Sequence, residues 1–348
     1  MKSRIVAGLF TAFFIVAGLT GLAMGQTNGY TVSEPISYKN LSIFLIHGKD
    51  ENTKGNILTL QEAMERNLFV VYETGSVNEL MVENLSKEFD VFIQSGDIVK
   101  GGRQDRVLAV SIIIPARSGK VSIEAFCVES GRWTKRGNEE SDKFTSSNDR
   151  IVTKELKIAA NGERSQTEVW KQVSEAQARL GKSVGGTVNS PKSESSLQLS
   201  LENREVVANI DEYMKRLGSA IDGKSDVIGY AFSINGQINS ADIYVSNALF
   251  KKLWPKLIQS SAVEATSEKK EGLVNMNATE ADVFRCISNA DAAKPFGQPR
   301  RSRDIDEQHE TVLLDRRMIA SGDEIQQRTR ADQVGDAEHQ IHQHREHG

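Results

Sequence analysis

Apolar residues between positions 36 and 135 recur with a period of two, which is typical of β-strands. A short stretch at 58–66 lacks Gly and Pro and predicts a helix instead. The predicted strands are 41–46, 68–72, 77–82, 89–93, 107–114 and 121–128. We expect 77–82 to pair with 89–93 and Pro115 to end the run at 107–114. This pattern predicts an antiparallel β core over 36–135, shaped as a barrel or a sandwich.

Helical patterns dominate from about residue 160 onward. Ser165 and Glu168 have the spacing of a capping box at the start of a helix, and Gly181 is expected to end it. The polar residues 138–150 are interpreted as a loop, and the Gly/Ser-rich residues 181–196 as a mobile linker. The other predicted elements are helices at 200–221, 246–260 and 279–289, and a hairpin of 227–234 with 237–245 around Asn235-Gly236. The predicted fold class is therefore α+β, with a helix-and-hairpin half over 160–292.

The first 25 residues have the three parts of a secretory signal peptide. Lys2 and Arg4 precede the uncharged apolar run 5–22, and Ala23-Met24-Gly25 offers a cleavage site before Gln26. Residues 26–35 are then a lead-in to the folded part, and the protein is predicted to be periplasmic or secreted. The alternative is an uncleaved anchor in the inner membrane, since the apolar run approaches the roughly 20 residues that span a bilayer. After cleavage we expect no membrane span.

The net charge argues against nucleic acid as a partner. Loss of Lys2 and Arg4 takes the net charge from −4 to −6, and an acidic chain is a poor ligand for nucleic acid. The composition changes after Lys294, beyond which lysine is absent and arginine and histidine accumulate. Residues 295–348 are predicted to be a disordered tail. A reading-frame change in the gene is one hypothesis for this switch, and translation of the other two frames past codon 290 tests it.

Few residues are suited to metal binding or nucleophilic catalysis. His47 is the sole histidine between 26 and 294, so we predict no metal site and no cofactor in the folded part. The tail histidines His342, His344 and His347 are interpreted as an incidental run. Cys127 and Cys286 are either a disulfide of an exported protein or two core thiols. A Cys127–His47 dyad is the only nucleophile–base pair available, and a core cysteine is the preferred interpretation.

Three segments, 73–84, 96–106 and 127–133, are rich in polar residues for a strand-forming region. The candidate ligand-binding residues in them are Glu73, Asn78, Asp97, Arg103, Gln104, Arg106, Glu129 and Arg132. One interpretation is a pocket whose arginines grip a phosphate or carboxylate. The other is a set of structural ion pairs and turn residues that close the sheet. The glycines of 96–102 are interpreted as turn residues, because the segment lacks the phosphate-loop pattern.

In this order, the segments ETGSVNELMVEN (73–84), GDIVKGGRQDR (96–106) and CVESGRW (127–133) resemble a bacterial family named for the ARG and rhodanese-phosphatase-superfamily-associated protein domain. The resemblance covers about 36–292 and is lost after Lys294. It implies no established activity and assigns no catalytic residue. One expected function is an exported non-catalytic binding or structural module of the cell envelope, with an envelope protein or a small anionic ligand as partner. The alternative is a hydrolase or ligand-binding enzyme that uses the Glu/Asp/Arg cluster on a phosphate- or ADP-ribose-like substrate.

Overall fold

The computed structural model describes residues 29–51, 56–109, 111–139, 142–150, 153–269 and 277–292. The predicted signal segment 1–25 and tail 295–348 lie outside the described residues. The strands are β1 Thr31–Val32, β2 Ile36–Tyr38, β3 Leu41–His47, β4 Ile57–Thr59, β5 Phe69–Glu73, β6 Glu79–Asn84, β7 Asp90–Ile93, β8 Asp97–Gly101, β9 Arg106–Leu108, β10 Ile112–Ile114, β11 Gly119–Cys127, β12 Phe144–Arg150, β13 Val227–Ile234 and β14 Gln237–Ile243. The helices are α1 Leu60–Glu65, α2 Lys154–Lys157, α3 Gln166–Val184, α4 Leu197–Leu201, α5 Arg204–Leu217, α6 Asn247–Ser267 and α7 Glu280–Ala292.

Strand β3 is central to a five-stranded antiparallel sheet with the order β1-β3-β13-β14, in which β2 also pairs with β3. Its side chains alternate between two cores: Leu41, Ile43 and Leu45 enter the largest core, and Phe44 and Ile46 face another. Helices α3, α5 and α6 supply the largest core, while α7 covers the opposite face. Because both faces of the sheet are covered, this strand is apolar at nearly every position instead of alternating.

The second main sheet has six strands in the order β12-β8-β9-β11-β6-β5. Its two edges meet where Tyr72 of β5 forms an isolated bridge with Lys143, just before β12, so the sheet nearly closes into a barrel. Val71, Val82 and Val99 help to fill the core that this sheet encloses. A three-stranded sheet, β10-β7-β4, contributes to the same core. The predicted α+β class with an antiparallel, barrel-like core is confirmed.

Several local predictions in this half are wrong. Segments 77–82 and 89–93 do not pair, because β6 pairs with β5 and β11 whereas β7 pairs with β10 and β4. The run at 107–114 is divided between β9 and β10, which belong to different sheets. The polar stretches interpreted as a turn and a loop contain β8 and β12, which pair with each other. These strands form because their backbone groups hydrogen-bond to neighbouring strands of the barrel. Such bonds form with polar and apolar side chains alike, so the polarity pattern did not reveal the strands.

The helical half follows its predicted signals more closely. The side chains of Ser165, Ser246 and Thr279 accept hydrogen bonds from the backbone N–H three residues later, as N-caps do. Helix α3 continues past Gly181 and ends at Gly185, whose φ of 74° is left-handed. The predicted helix at 200–221 is divided into α4, α5 and a 3-10 turn at 218–221.

The hairpin β13–β14 turns at Asn235 and Gly236, with φ of 52° and 78°, as its sequence predicts. Strand β13 pairs with β3, so the hairpin completes the sheet of the N-terminal strands and the two predicted halves share one sheet. Within the predicted linker 181–196, the carbonyl of Glu194 accepts a hydrogen bond from Gln177 Nε2 at 2.9 Å. No helix within the described ranges is long and apolar enough to cross a membrane.

Candidate functional site

The three polar segments of the sequence meet at one end of the barrel. Strand β5 ends at Glu73, where the β5–β6 loop begins. The β8–β9 turn spans 102–105, and the loop after β11 begins at Val128. Strand β9 pairs with both β8 and β11, and β11 also pairs with β6, so these loops emerge next to one another. The arrangement of strands in the barrel therefore assembles residues that are up to 60 positions apart in sequence.

Two fully buried carboxylates form the base of this cluster. Asp105 and Glu129 have no exposed side-chain surface. The backbone N–H of Gly101 donates to Asp105 Oδ1 at 3.0 Å, and that of Asp105 donates to Glu129 Oε2 at 3.4 Å. Such a pair of buried charges is stable only when cations neutralise it.

Arg132 and Arg136 supply that neutralisation. Arg136 donates from Nη1 and Nη2 to the two oxygens of Asp105, at 2.9 and 3.3 Å, and it also binds Glu139 at 2.8 Å. Arg132 Nη2 lies 2.6 Å from Glu129 Oε2 and 3.6 Å from Asp105 Oδ1. The arginine fork matches carboxylate geometry, and Arg136 engages both oxygens of Asp105 in this way. Nε of Arg132 and Oε1 of Glu129, by contrast, are buried without a hydrogen-bond partner among the described residues.

A second ion pair lies beside the first. Arg106, fully buried, contacts Glu73 Oε2 at 3.4 Å and donates to the carbonyl of Gln104 at 3.0 Å. Glu73 also accepts from the backbone N–H groups of Gly75 and Arg103, at 3.0 and 3.1 Å. This carboxylate therefore fastens the β5–β6 loop to the β8–β9 turn.

The outer layer of the cluster is an arginine–tryptophan pair. The guanidinium carbons of Arg103 and Arg106 each lie 5.5 Å from the ring centroid of Trp133. Trp133 is 40% exposed, and Arg103 is exposed as well. Cation–π contacts of this kind orient the guanidinium planes and the indole relative to one another.

Burial and charge act in opposite directions on the pKa values of the cluster. Burial raises the pKa of Asp105, and the Arg136 charge opposes this shift without cancelling it. Burial also raises the pKa of Glu129, but the hydrogen bond from Arg132 and the nearby guanidinium charges outweigh it, so the net pKa is lowered. Burial lowers the pKa of Arg136, yet Asp105 and Glu139 raise it overall, and the guanidinium stays charged.

The structure brings together most of the predicted site residues: Glu73, Arg103, Gln104, Arg106, Glu129 and Arg132. Asp97 lies elsewhere, where its Oδ1 is 3.4 Å from Lys256 Nζ. Asn78 is exposed, and its backbone carbonyl accepts a hydrogen bond from Ala125. Asp105, Arg136 and Glu139 were not among the predicted residues. Asp105 does lie inside a polar segment, whereas Arg136 and Glu139 follow in a loop where periodicity carries no information.

Neither the candidate dyad nor a disulfide forms. His47 Nδ1 lies 3.1 Å from Asp226 Oδ1, whereas Cys127 Sγ donates to the carbonyl of Val77 at 3.8 Å. Cys127 and Cys286 are both buried free thiols. Burial raises the pKa of each to about 11, so neither is a thiolate at neutral pH. Within the described ranges, no group of three or more His, Cys, Asp or Glu residues is arranged to hold a metal ion.

A separate cleft of about 210 Å³ lies between the barrel and the helices. Its polar lining includes Lys100, Gln198 and Glu202, and none of the predicted site residues lines it. Lys100 forms an ion pair with Glu202, and Gln198 Nε2 donates to the same carboxylate at 2.9 Å. These polar groups are thus matched within the protein.

Comparison with known proteins assigns the chain to a family without adding an activity. No curated protein and no solved structure matches it. The model of the ARG and Rhodanese-Phosphatase-superfamily-associated Protein domain matches residues 29–330. This match begins before and ends after the predicted range 36–292, and it reaches into the segment predicted as a tail. The chain belongs to the ARG and Rhodanese-Phosphatase-superfamily-associated Protein domain family.

Proposed function

We propose that the protein is an exported, non-catalytic binding or structural module of the cell envelope. The observation that carries this proposal is the internal neutralisation of the arginine–carboxylate cluster. Arg106, Arg132 and Arg136 all contact buried carboxylates of the same chain. A cluster built in this way connects three loops of a barrel and leaves these guanidiniums engaged.

The titratable groups of the cluster are poorly placed for acid–base or nucleophilic chemistry. A general acid or base must come within hydrogen-bonding distance of the substrate. Asp105 has a raised pKa, but it is fully buried and its oxygens accept bonds from Arg136 and Gly101. Cys127 is also buried, with a pKa of about 11. These features favour a structural role for both residues.

Export is supported by the sequence at the N-terminus. The charged, apolar and small-residue parts of 1–25 follow the order of a signal peptide. The family match begins at residue 29, three residues after Gln26, the first residue of the predicted mature chain. This order is expected if the family domain is the exported part.

An activity screen tests the non-catalytic proposal. The full chain and Glu129→Gln are incubated with phosphomonoesters, phosphodiesters and carboxylic esters, and the unfolding midpoint of each protein is recorded. We expect no turnover by either protein and a lower midpoint for Glu129→Gln, because the substitution removes the closer of the two carboxylates that Arg132 contacts. Turnover by the full chain that Glu129→Gln abolishes at an unchanged midpoint would overturn the proposal.

Fractionation tests the proposed location. The chain is expressed in a Gram-negative host, and its intact mass is measured in the periplasmic, membrane and cytoplasmic fractions. We expect a soluble periplasmic form whose mass corresponds to a start at Gln26. A full-length mass in the cytoplasmic fraction alone contradicts export, and a full-length mass in the membrane fraction supports the anchored alternative.

A further inference from the structure

The exposed face of the cluster differs in charge from its interior. Arg103 makes no ion pair or side-chain hydrogen bond with any residue that the structure describes, and its guanidinium carbon lies 5.5 Å from the ring centroid of Trp133. Glu73, whose carboxylate accepts the backbone N–H of Arg103, is paired with Arg106. Arg103 is therefore an exposed guanidinium that has no anionic partner among the described residues.

This face is also connected to the cluster beneath it. The backbone N–H of Arg103 donates to Glu73 Oε2 at 3.1 Å, which fixes the start of the side chain. The indole of Trp133 lies over the buried guanidinium of Arg106. A binding site gains affinity when its groups are held in place before the ligand arrives, because less conformational entropy is lost on binding.

The surroundings leave room beside the arginine. Gly75 faces it, and a Cβ atom at Gly75 would lie 3.6 Å from Arg103 Nη1, in ordinary contact. A side chain at this position would lie directly against the guanidinium, and glycine leaves that space unfilled. Trp133 adds an exposed flat apolar surface, which is a common anchor for ring-shaped ligands.

We propose that Arg103 and Trp133, together with Gly75, form a binding site for a small anionic ligand that carries a carboxylate or phosphate group on a ring. Arg103 binds the anionic group through its guanidinium fork, and the ring packs on Trp133. The proposal rests on the binding role proposed above. It assigns recognition of the anion to the exposed Arg103 and not to the buried arginines of the cluster.

Fluorine NMR tests the site directly. Labelling with 5-fluorotryptophan gives one signal for each of the three tryptophans, and Trp133→Phe identifies its own. The full chain is titrated with phenyl phosphate, benzoate and uncharged phenol. We expect phenyl phosphate or benzoate to shift the Trp133 signal, phenol to shift it much less, and Arg103→Gln to weaken anion binding about tenfold, as expected for the loss of a charge-assisted contact.

Arg216→Gln is the matched control. Arg216 is another exposed arginine beside an aromatic ring, with its guanidinium carbon 5.9 Å from the centroid of Tyr38. Its substitution should leave the titration unchanged, and the unfolding midpoint of each variant shows whether the fold is intact. No shift of the Trp133 signal, or equal shifts in the full chain and Arg103→Gln, would overturn the site. Phenol release from phenyl phosphate would instead contradict the non-catalytic proposal, so the two failures are distinguishable.

Discussion

Removal of the Arg136 guanidinium is the most direct perturbation of the cluster. Arg136→Met keeps most of the side-chain volume but removes two hydrogen bonds to Asp105 and two to Glu139. Asp105 is then a buried carboxylate that has lost its main cation. Loss of one partner of a buried ion pair costs about 3–5 kcal/mol, because the remaining charge is uncompensated. At roughly 2–4 °C per kcal/mol, the unfolding midpoint should fall by about 10 °C.

Thermal unfolding followed by circular dichroism measures this effect. The double variant Arg136→Met with Asp105→Asn should recover part of the lost stability, because it also removes the buried, unpaired charge of Asp105. Lys171→Met is the control, because Lys171 pairs with Glu168 on the exposed surface of α3. Its midpoint should equal that of the unmodified chain. If Arg136→Met unfolds at the same temperature as this control, the cluster does not hold the loops together and the reasoning fails.

Two further predictions concern pH and backbone conformation. Burial raises the pKa of Glu268 to about 7, so the folded chain holds a proton that the unfolded chain releases above its ordinary pKa of 4.5. This contribution to stability is fully present below about pH 4.5 and is lost as the pH rises through 7. The free energy of unfolding, measured with urea at pH 5 and 7.5, should therefore fall by about 1–3 kcal/mol less in Glu268→Gln than in the unmodified chain. Identical falls in the two proteins would contradict the raised pKa. Gly102 has a φ of 54°, and a Cβ there would lie 2.3 Å from the ring of Phe144, so Gly102→Ala should destabilise the chain by several kcal/mol. Gly119→Ala, where φ is 65° but nothing lies within 4 Å, should cost only about 1 kcal/mol in the same assay, and equal losses would refute the steric argument.

The sequence identified the types of residue that form the candidate site, but only some of the residues themselves. Polar residues are conspicuous in strand-forming segments, so Glu73, Arg106 and Glu129 were identified from the sequence. Asp97 was assigned to the same site because it lies in the second segment, but it is four residues before the end of β8, and its carboxylate contacts Lys256 instead. Along a strand, four residues span about 13 Å, so neighbours in a motif need not be neighbours at a site.

The role of the arginines could not be read from the sequence. Arg103 and Arg106 are three residues apart, yet one is exposed beside Trp133 and the other is fully buried against Glu73. The β8–β9 turn causes this difference. Arg103 lies in the turn with its side chain exposed, whereas Arg106 is the first residue of β9. Arg136 lies in a loop without periodicity, and only its position over Asp105 reveals its function.

Local patterns determined the elements that depend on short-range chemistry. Asn235-Gly236 specified the hairpin, and Ser165, Ser246 and Thr279 specified the starts of helices, because turns and caps are formed by residues within four positions of one another. The sequence by itself also predicted the α+β class from its change in periodicity.

The tertiary structure determined which strands pair and which charged residues are buried or exposed. The pairing of β13 with β3 and the bridge between Tyr72 and Lys143 join residues that are far apart in the chain, and no local signal encodes such contacts. The same closure brings Asp105 and Glu129 beneath Arg132 and leaves Arg103 outside. Whether a charged residue supports the fold or meets a ligand depends on its burial and its partners, and both are set only when the barrel closes.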